Sequence, residues 1–171
     1  VNIECAEHRT QGEDMSYGVP RKETHFEPRD PHWDEKVRTS FARQGVMGLL
    51  GATLADVWPG GCEIHLPYRP DLSQQVGYFH AGVTSTVVDS AAGYAGFSLM
   101  PANTEVLSVE FKINLLAPAD GELMIATGEV IKPGKTLVIT RGDAWVVKGG
   151  KLTHCAMMQQ TLMTMHGKVE K

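Results

Sequence analysis

One carboxylate is chemically conspicuous in this sequence: Asp89 is the single charged residue between Ala81 and Met100, a stretch built mainly of Val, Ala, Gly, Ser and Thr. An ionised carboxylate taken out of water costs several kcal/mol unless it is paired or hydrogen-bonded. Two readings fit: a carboxylate on the one wet edge of a helix or capping a nearby amide, or one kept for acid or base chemistry. Nine residues earlier, His80-Ala81-Gly82 stands where a polar loop meets the same apolar stretch. Amides at a helix start are unpaired and have the positive end of the helix dipole behind them. They could hold a carbonyl oxygen as it gains negative charge. His80 also fits a plainer role, a helix-entry residue making one structural hydrogen bond.

These residues need elements to position them. The apolar spacing of Val37, Phe41 and Leu49 or Leu50 predicts an amphipathic helix from about 34 to 47, ended by Gly48 and Gly51. Strands over 52–58 and 62–68 flank Pro59-Gly60-Gly61, a hairpin signal. Residues 82–99 read as a helix that must be covered nearly all round. Four more strands follow near 104–116, 121–131, 136–147 and 151–164, with hairpin signals at Pro118 to Gly121, Pro133-Gly134 and Gly149-Gly150. Alternation on the first of these sets Val109, Phe111, Ile113 and Leu115 on one face and Glu110, Lys112 and Asn114 on the other. This order implies an α+β domain, a mainly antiparallel sheet curled around one buried helix. Residues 1–33, rich in charge, Gly and Pro, read as a polar N-terminal extension able to wrap a neighbour, and 34–171 as the folded domain.

Composition narrows the partners. With 171 residues, 42% hydrophobic and 21% charged, the chain can bury one sizeable core, and a net charge of -4 without a basic stripe argues against nucleic acid. No run approaches the roughly 20 apolar residues that span a bilayer, and the first 33 residues lack a secretion-signal core, so the expected location is cytoplasmic. Cys5, Cys62 and Cys155 lack zinc or redox spacing, and the seven histidines never fall at i, i+4, so no metal is expected. Pro133-Gly134-Lys135-Thr136 ends like a phosphate-binding P-loop, but Glu129 occupies the position of its first glycine, and the segment reads as a turn. From that turn Lys132 and Lys135 could reach a phosphate, although a solvated tip is the simpler reading of each.

The stretch Gln74 to Gly82, followed by Asp89, Val106 to Leu116 and Lys132 to Thr136, resembles the hotdog-fold thioesterases of the phenylacetate-degradation type over roughly residues 50–164. Its most specific part is the histidine and glycine pair with an acid nine residues after the histidine. The resemblance implies a curved antiparallel sheet wrapped around one long helix, hydrolysing acyl-CoA thioesters without a cofactor beyond the coenzyme A of the substrate. It assigns Asp89 to activating water, Ala81 with Gly82 to the oxyanion, Gln74 to holding substrate or water, and Ser108 to orienting that water. His80, and from the turn Lys132 and Lys135, are the further candidates for substrate contact. Two departures matter: His-Ala-Gly replaces His-Gly-Gly, and Gln74 replaces Asn, which moves its amide outward by one methylene. The resemblance further implies a homodimer with sites shared between subunits, often paired into a homotetramer. A non-catalytic acyl-CoA-binding module, an acyl-CoA hydratase or dehydratase, and a partner-binding role through residues 1–33 are the alternatives.

Overall fold

The computed structural model describes residues 17–21 and 25–167. Cys5 and most of the polar lead-in lie outside them. Two short helices, α1 (Trp33–Arg43) and α2 (Gly45–Leu50), precede a hairpin of β1 (Thr53–Trp58) and β2 (Gly61–Pro67). The long helix α3 (Ala81–Phe97) follows, then β3 (Thr104–Leu115), β4 (Leu123–Pro133), β5 (Leu137–Lys148) and β6 (Lys151–His166). All pairings are antiparallel, and the strands lie in the order β1-β2-β4-β5-β6-β3. The expected sheet around one buried helix is therefore present: ten of the seventeen residues of α3 are buried.

Three expectations need correction. The single helix over 34–47 is broken at Gln44, whose extended backbone (φ -75°, ψ 98°) ends α1 and starts α2. Gly48 lies inside α2 and does not end it; Gly51 does, in the left-handed conformation that glycine adopts without strain. Residues 118–121 do not close a hairpin, because β3 pairs with β6 at one edge while β4 pairs with β2 and β5. The turn signal there marks a crossover instead. Finally, a bulge between Ser108 and Glu110 interrupts the alternation of β3. Ser108 pairs with Leu162 and Phe111 with Gln160, two positions apart on β6, so Ser108 and Phe111 share a face and Val109 takes up the extra residue.

Close helix-to-sheet packing depends on Gly128 and Gly142, which are partners across β4 and β5. A Cβ on Gly128 would stand 2.2 Å from the Ala91 carbonyl oxygen, and one on Gly142 2.5 Å from Val88 Cγ1. Any larger residue at either position would push α3 off the sheet. The described part of the lead-in lies against its own domain. Arg21 bonds Asp56 and Glu63 at 2.7 and 2.9 Å and sits over the Trp58 ring, while Arg29 donates to the Gly134 carbonyl at 3.1 Å.

Candidate active site

Asp89 sits half-buried midway along α3, facing the edge strand β3. The Ser108 hydroxyl donates to Asp89 Oδ1 at 2.7 Å, and Gln160 Nε2 donates to the same oxygen and to Ser108 Oγ at 2.9 Å. Gln160 is itself fixed, with 1% of its surface exposed and its Oε1 accepting from Thr140 Oγ1 at 3.2 Å. The bulge in β3 is what turns Ser108 toward the helix. Both bonds fall on Oδ1, so Oδ2 has no partner among the described residues. Beside it opens a cleft of about 320 Å³ whose lining includes Asp89, Ser90, Gly93, Val106 and Ser108. Two hydrogen bonds on one carboxylate oxygen fix the direction of the other.

His80 caps α3. Its backbone is extended (φ -64°, ψ 139°) and its Nδ1 accepts from the Gly82 amide at 2.9 Å, which puts the proton of the neutral ring on Nε2. The Gly82 amide is thereby occupied. The Ala81 amide, the other expected oxyanion donor, carries no hydrogen bond among the described residues. It lines a second, smaller cavity of about 160 Å³ with Gln74, Tyr78, Phe79, Leu115 and Cys155. Gln74 reaches this cavity from a loop that it organises itself, since its Oε1 accepts from the Val76 amide and its backbone pairs with Tyr78.

The sequence-derived residues therefore fall into three places. Gln74, His80, Ala81 and Gly82 gather at the N-terminal end of α3; Asp89 and Ser108 meet in the middle; Lys132 and Lys135 are exposed on the β4–β5 turn. That turn adjoins the end of β6, where the Thr164 amide donates to the Thr136 carbonyl and Thr164 pairs across to the cleft-lining Val106 of β3. Ala81 and Asp89 are eight residues apart, about 12 Å along a helix axis at 1.5 Å per residue. Gln160 and Gln44 were not anticipated. Gln160 had a readable signal, a lone amide among Ala156, Met158 and Leu162 on the inward period of β6. Gln44 had none, since only the break between α1 and α2 turns it to the cleft. Among the described residues no cluster of three His, Cys, Asp or Glu side chains could hold a metal ion.

Known proteins resemble this chain in sequence and fold. The sequence pattern of the thioesterase superfamily matches residues 76–153, which include Ala81, Asp89 and Ser108. A thioesterase family protein of Silicibacter pomeroyi is 48% identical, with a TM-score of 0.78 over 79% of this chain and 99% of that one. Human acyl-coenzyme A thioesterase 13 is 31% identical over 63% of this chain and 75% of its own length. A Halobacterium salinarum protein named as an esterase is 30% identical over 54% of this chain, and the match spans 64% of that relative, just under two thirds. The PaaI protein of the Escherichia coli phenylacetic acid degradation operon, 15% identical with a TM-score of 0.71 over 82% of this chain and 98% of that one, shares the fold. The family expected from the Gln74 to Asp89 segment is thus the family found, and this chain belongs to the thioesterase superfamily.

Proposed function

We propose that the protein hydrolyses acyl-CoA thioesters, with Asp89 as the base that takes a proton from, or orients, the attacking water. The observation that carries this reading is the bracing of Asp89: Ser108 and Gln160 both bond Oδ1, which leaves Oδ2 without a partner among the described residues on a side chain that lines the cleft. Water attacks the thioester carbon, and the carbonyl oxygen gains charge against the Ala81 amide. The C–S bond then breaks to release the acid and the coenzyme A thiol, with coenzyme A entering only as part of the substrate. The name of the human relative, an acyl-coenzyme A thioesterase, supports the substrate class. His80 holds the helix start, Gln74 borders the substrate near Ala81, and Lys132 and Lys135 offer cations to the phosphates of coenzyme A.

The same reading requires two copies. Base and oxyanion donor must each lie within about 3 Å of the attacked group, whereas Ala81 and Asp89 of one chain are far more widely spaced. A second subunit would bring its Ala81 to the first subunit's Asp89. The edge strand β3 offers the contact: Leu107, Val109, Phe111 and Leu115 are 47–58% exposed on a twelve-residue edge with no strand beyond it among the described residues. An apolar edge of that length is a hazard unless a partner covers it. Pairing of two such dimers, and a cytoplasmic location, belong to the same proposal, and the two buried free thiols Cys62 and Cys155 accord with a reducing compartment. No helix of the described residues is long and apolar enough to cross a membrane.

Release of free thiol from a panel of acyl-CoA esters tests the reaction. Turnover of at least one ester is expected. Stoichiometric binding of every ester without turnover would identify a binding module instead.

A further inference from the structure

We propose that the cleft beside Asp89 receives short acyl groups that carry a hydrogen-bonding function, a carbonyl or hydroxyl, about 6 Å from the thioester carbon, and that Gln44 selects them. This rests on the hydrolase reading above. Beyond Asp89 the cleft is lined by Ser90 beside it, Gly93 one helical turn on, and Ser40, Gln44 and Tyr94, while Arg43 and Glu105, paired with each other at 3.9 Å, close its rim, so that hydrogen-bonding and charged groups dominate the set. Gln44 joins α1 to α2 through its backbone and makes no side-chain cap bond. Its Oε1 accepts from Ser90 Oγ at 3.3 Å, so its amide nitrogen keeps two donors without a partner among the described residues. Among the described residues the Tyr94 hydroxyl meets only Ser40 Oγ, at a long 3.5 Å, and burial pushes its pKa above the usual phenol value despite that contact, so at neutral pH it is a neutral donor.

Gly93 adds a second, independent sign. Glycine inside a helix is destabilising relative to alanine, and a Cβ at Gly93 would meet nothing within 4 Å. Packing within the described chain does not call for glycine there, and an occupant lying along the helix from Asp89 would account for it. A plain hydrocarbon in this place would strip water from the Gln44 and Tyr94 donors and leave them unpaired, whereas a carbonyl or hydroxyl would satisfy them.

The test compares kcat/KM of the full chain for two esters of equal size and branching, 5-oxohexanoyl-CoA and 5-methylhexanoyl-CoA. We expect the parent to favour the oxo ester by about tenfold or more, and Gln44→Leu to bring the ratio near one. A parent ratio near one, or a preference for the methyl ester, overturns the inference and leaves hydrolysis standing. An unchanged ratio in Gln44→Leu overturns the role of Gln44. Gly93→Ala, which helix propensity favours, keeps the test open if Gln44→Leu fails to fold. It should preserve Tm and elution volume while lowering kcat/KM for both esters by about tenfold, and unchanged kcat/KM overturns the inference. Thiol release from neither ester, nor from acetyl-CoA, overturns the hydrolase reading and this inference with it.

Discussion

Ala81 and Asp89 stand eight residues apart on one helix, α3, so about 12 Å separates the free amide at its start from the carboxylate in its middle. Neither group of one chain can serve the other's carbonyl. This spacing makes the proposed division of labour between two subunits open to direct test.

Ala81 is the first residue of α3, where a missing N–H costs the helix nothing, and His80 before it is already extended, as the residue before proline must be. Ala81→Pro therefore deletes the proposed oxyanion donor with little effect on folding. We expect kcat to fall by about 10²-fold to 10³-fold. Mixing that variant with Asp89→Asn and allowing subunits to exchange should restore activity at about one site in four, since each heterodimer carries one intact site. Confirmed exchange with no recovery would place both groups in a site of one chain.

Gln160 and Ser108 hold the same carboxylate oxygen but differ in depth. Gln160→Leu leaves the buried Thr140 hydroxyl without its acceptor and should lower stability by roughly 1–3 kcal/mol as well as slowing turnover. Ser108 is exposed in the single chain, and Ser108→Ala should cost about tenfold in kcat with little change in stability. Urea unfolding and steady-state kinetics on the two variants check the contrast; equal stability losses would refute it.

Glu63 links the lead-in to the sheet. Burial raises its pKa, but hydrogen bonds from His65 and Arg21, together with the charge on Arg21, outweigh burial and hold the carboxyl below its usual range. A carboxylate depressed in the folded state contributes stability above its unfolded pKa, about 4.3, and that contribution is lost as pH falls through the folded value. Glu63→Gln should thus melt a few degrees below the parent at pH 7, and the gap should narrow as pH falls below the unfolded value of about 4.3. A gap that widens on acidification would carry the wrong sign.

Cys155 borders the cavity at Ala81, which raises the question of a thiol nucleophile. Burial pushes its pKa to about 11 and drives Cys62 higher still. Both should remain neutral thiols, unlabelled by iodoacetamide at pH 7.5 in the folded protein and labelled after denaturation, as peptide mass spectrometry would show. Rapid native labelling of Cys155 would contradict this.

Much of the fold was legible because its signals are local. The uncharged composition of residues 81–100 specifies a covered helix, and Pro59-Gly60, Pro133-Gly134 and Gly149-Gly150 mark real turns. Pro118 to Gly121 misled, because turn chemistry looks the same whether the next strand pairs with its predecessor or crosses the sheet. Asp89 and Ser108 were identified in advance, but their contact depends on a one-residue bulge that alternation does not reveal. Gln44 escaped notice because its place is set by where α1 and α2 part, which is a matter of packing against α3.

The central claim, that Asp89 supplies the base, is tested most directly by Asp89→Asn, which keeps the size and polarity of the side chain and removes its ability to accept a proton. Measured as kcat for thiol release from the best acyl-CoA ester, with Tm and elution volume matched to the parent, the loss should be about 10²-fold to 10⁴-fold while KM changes little. A folded Asp89→Asn variant retaining activity within about threefold of the parent would contradict the account.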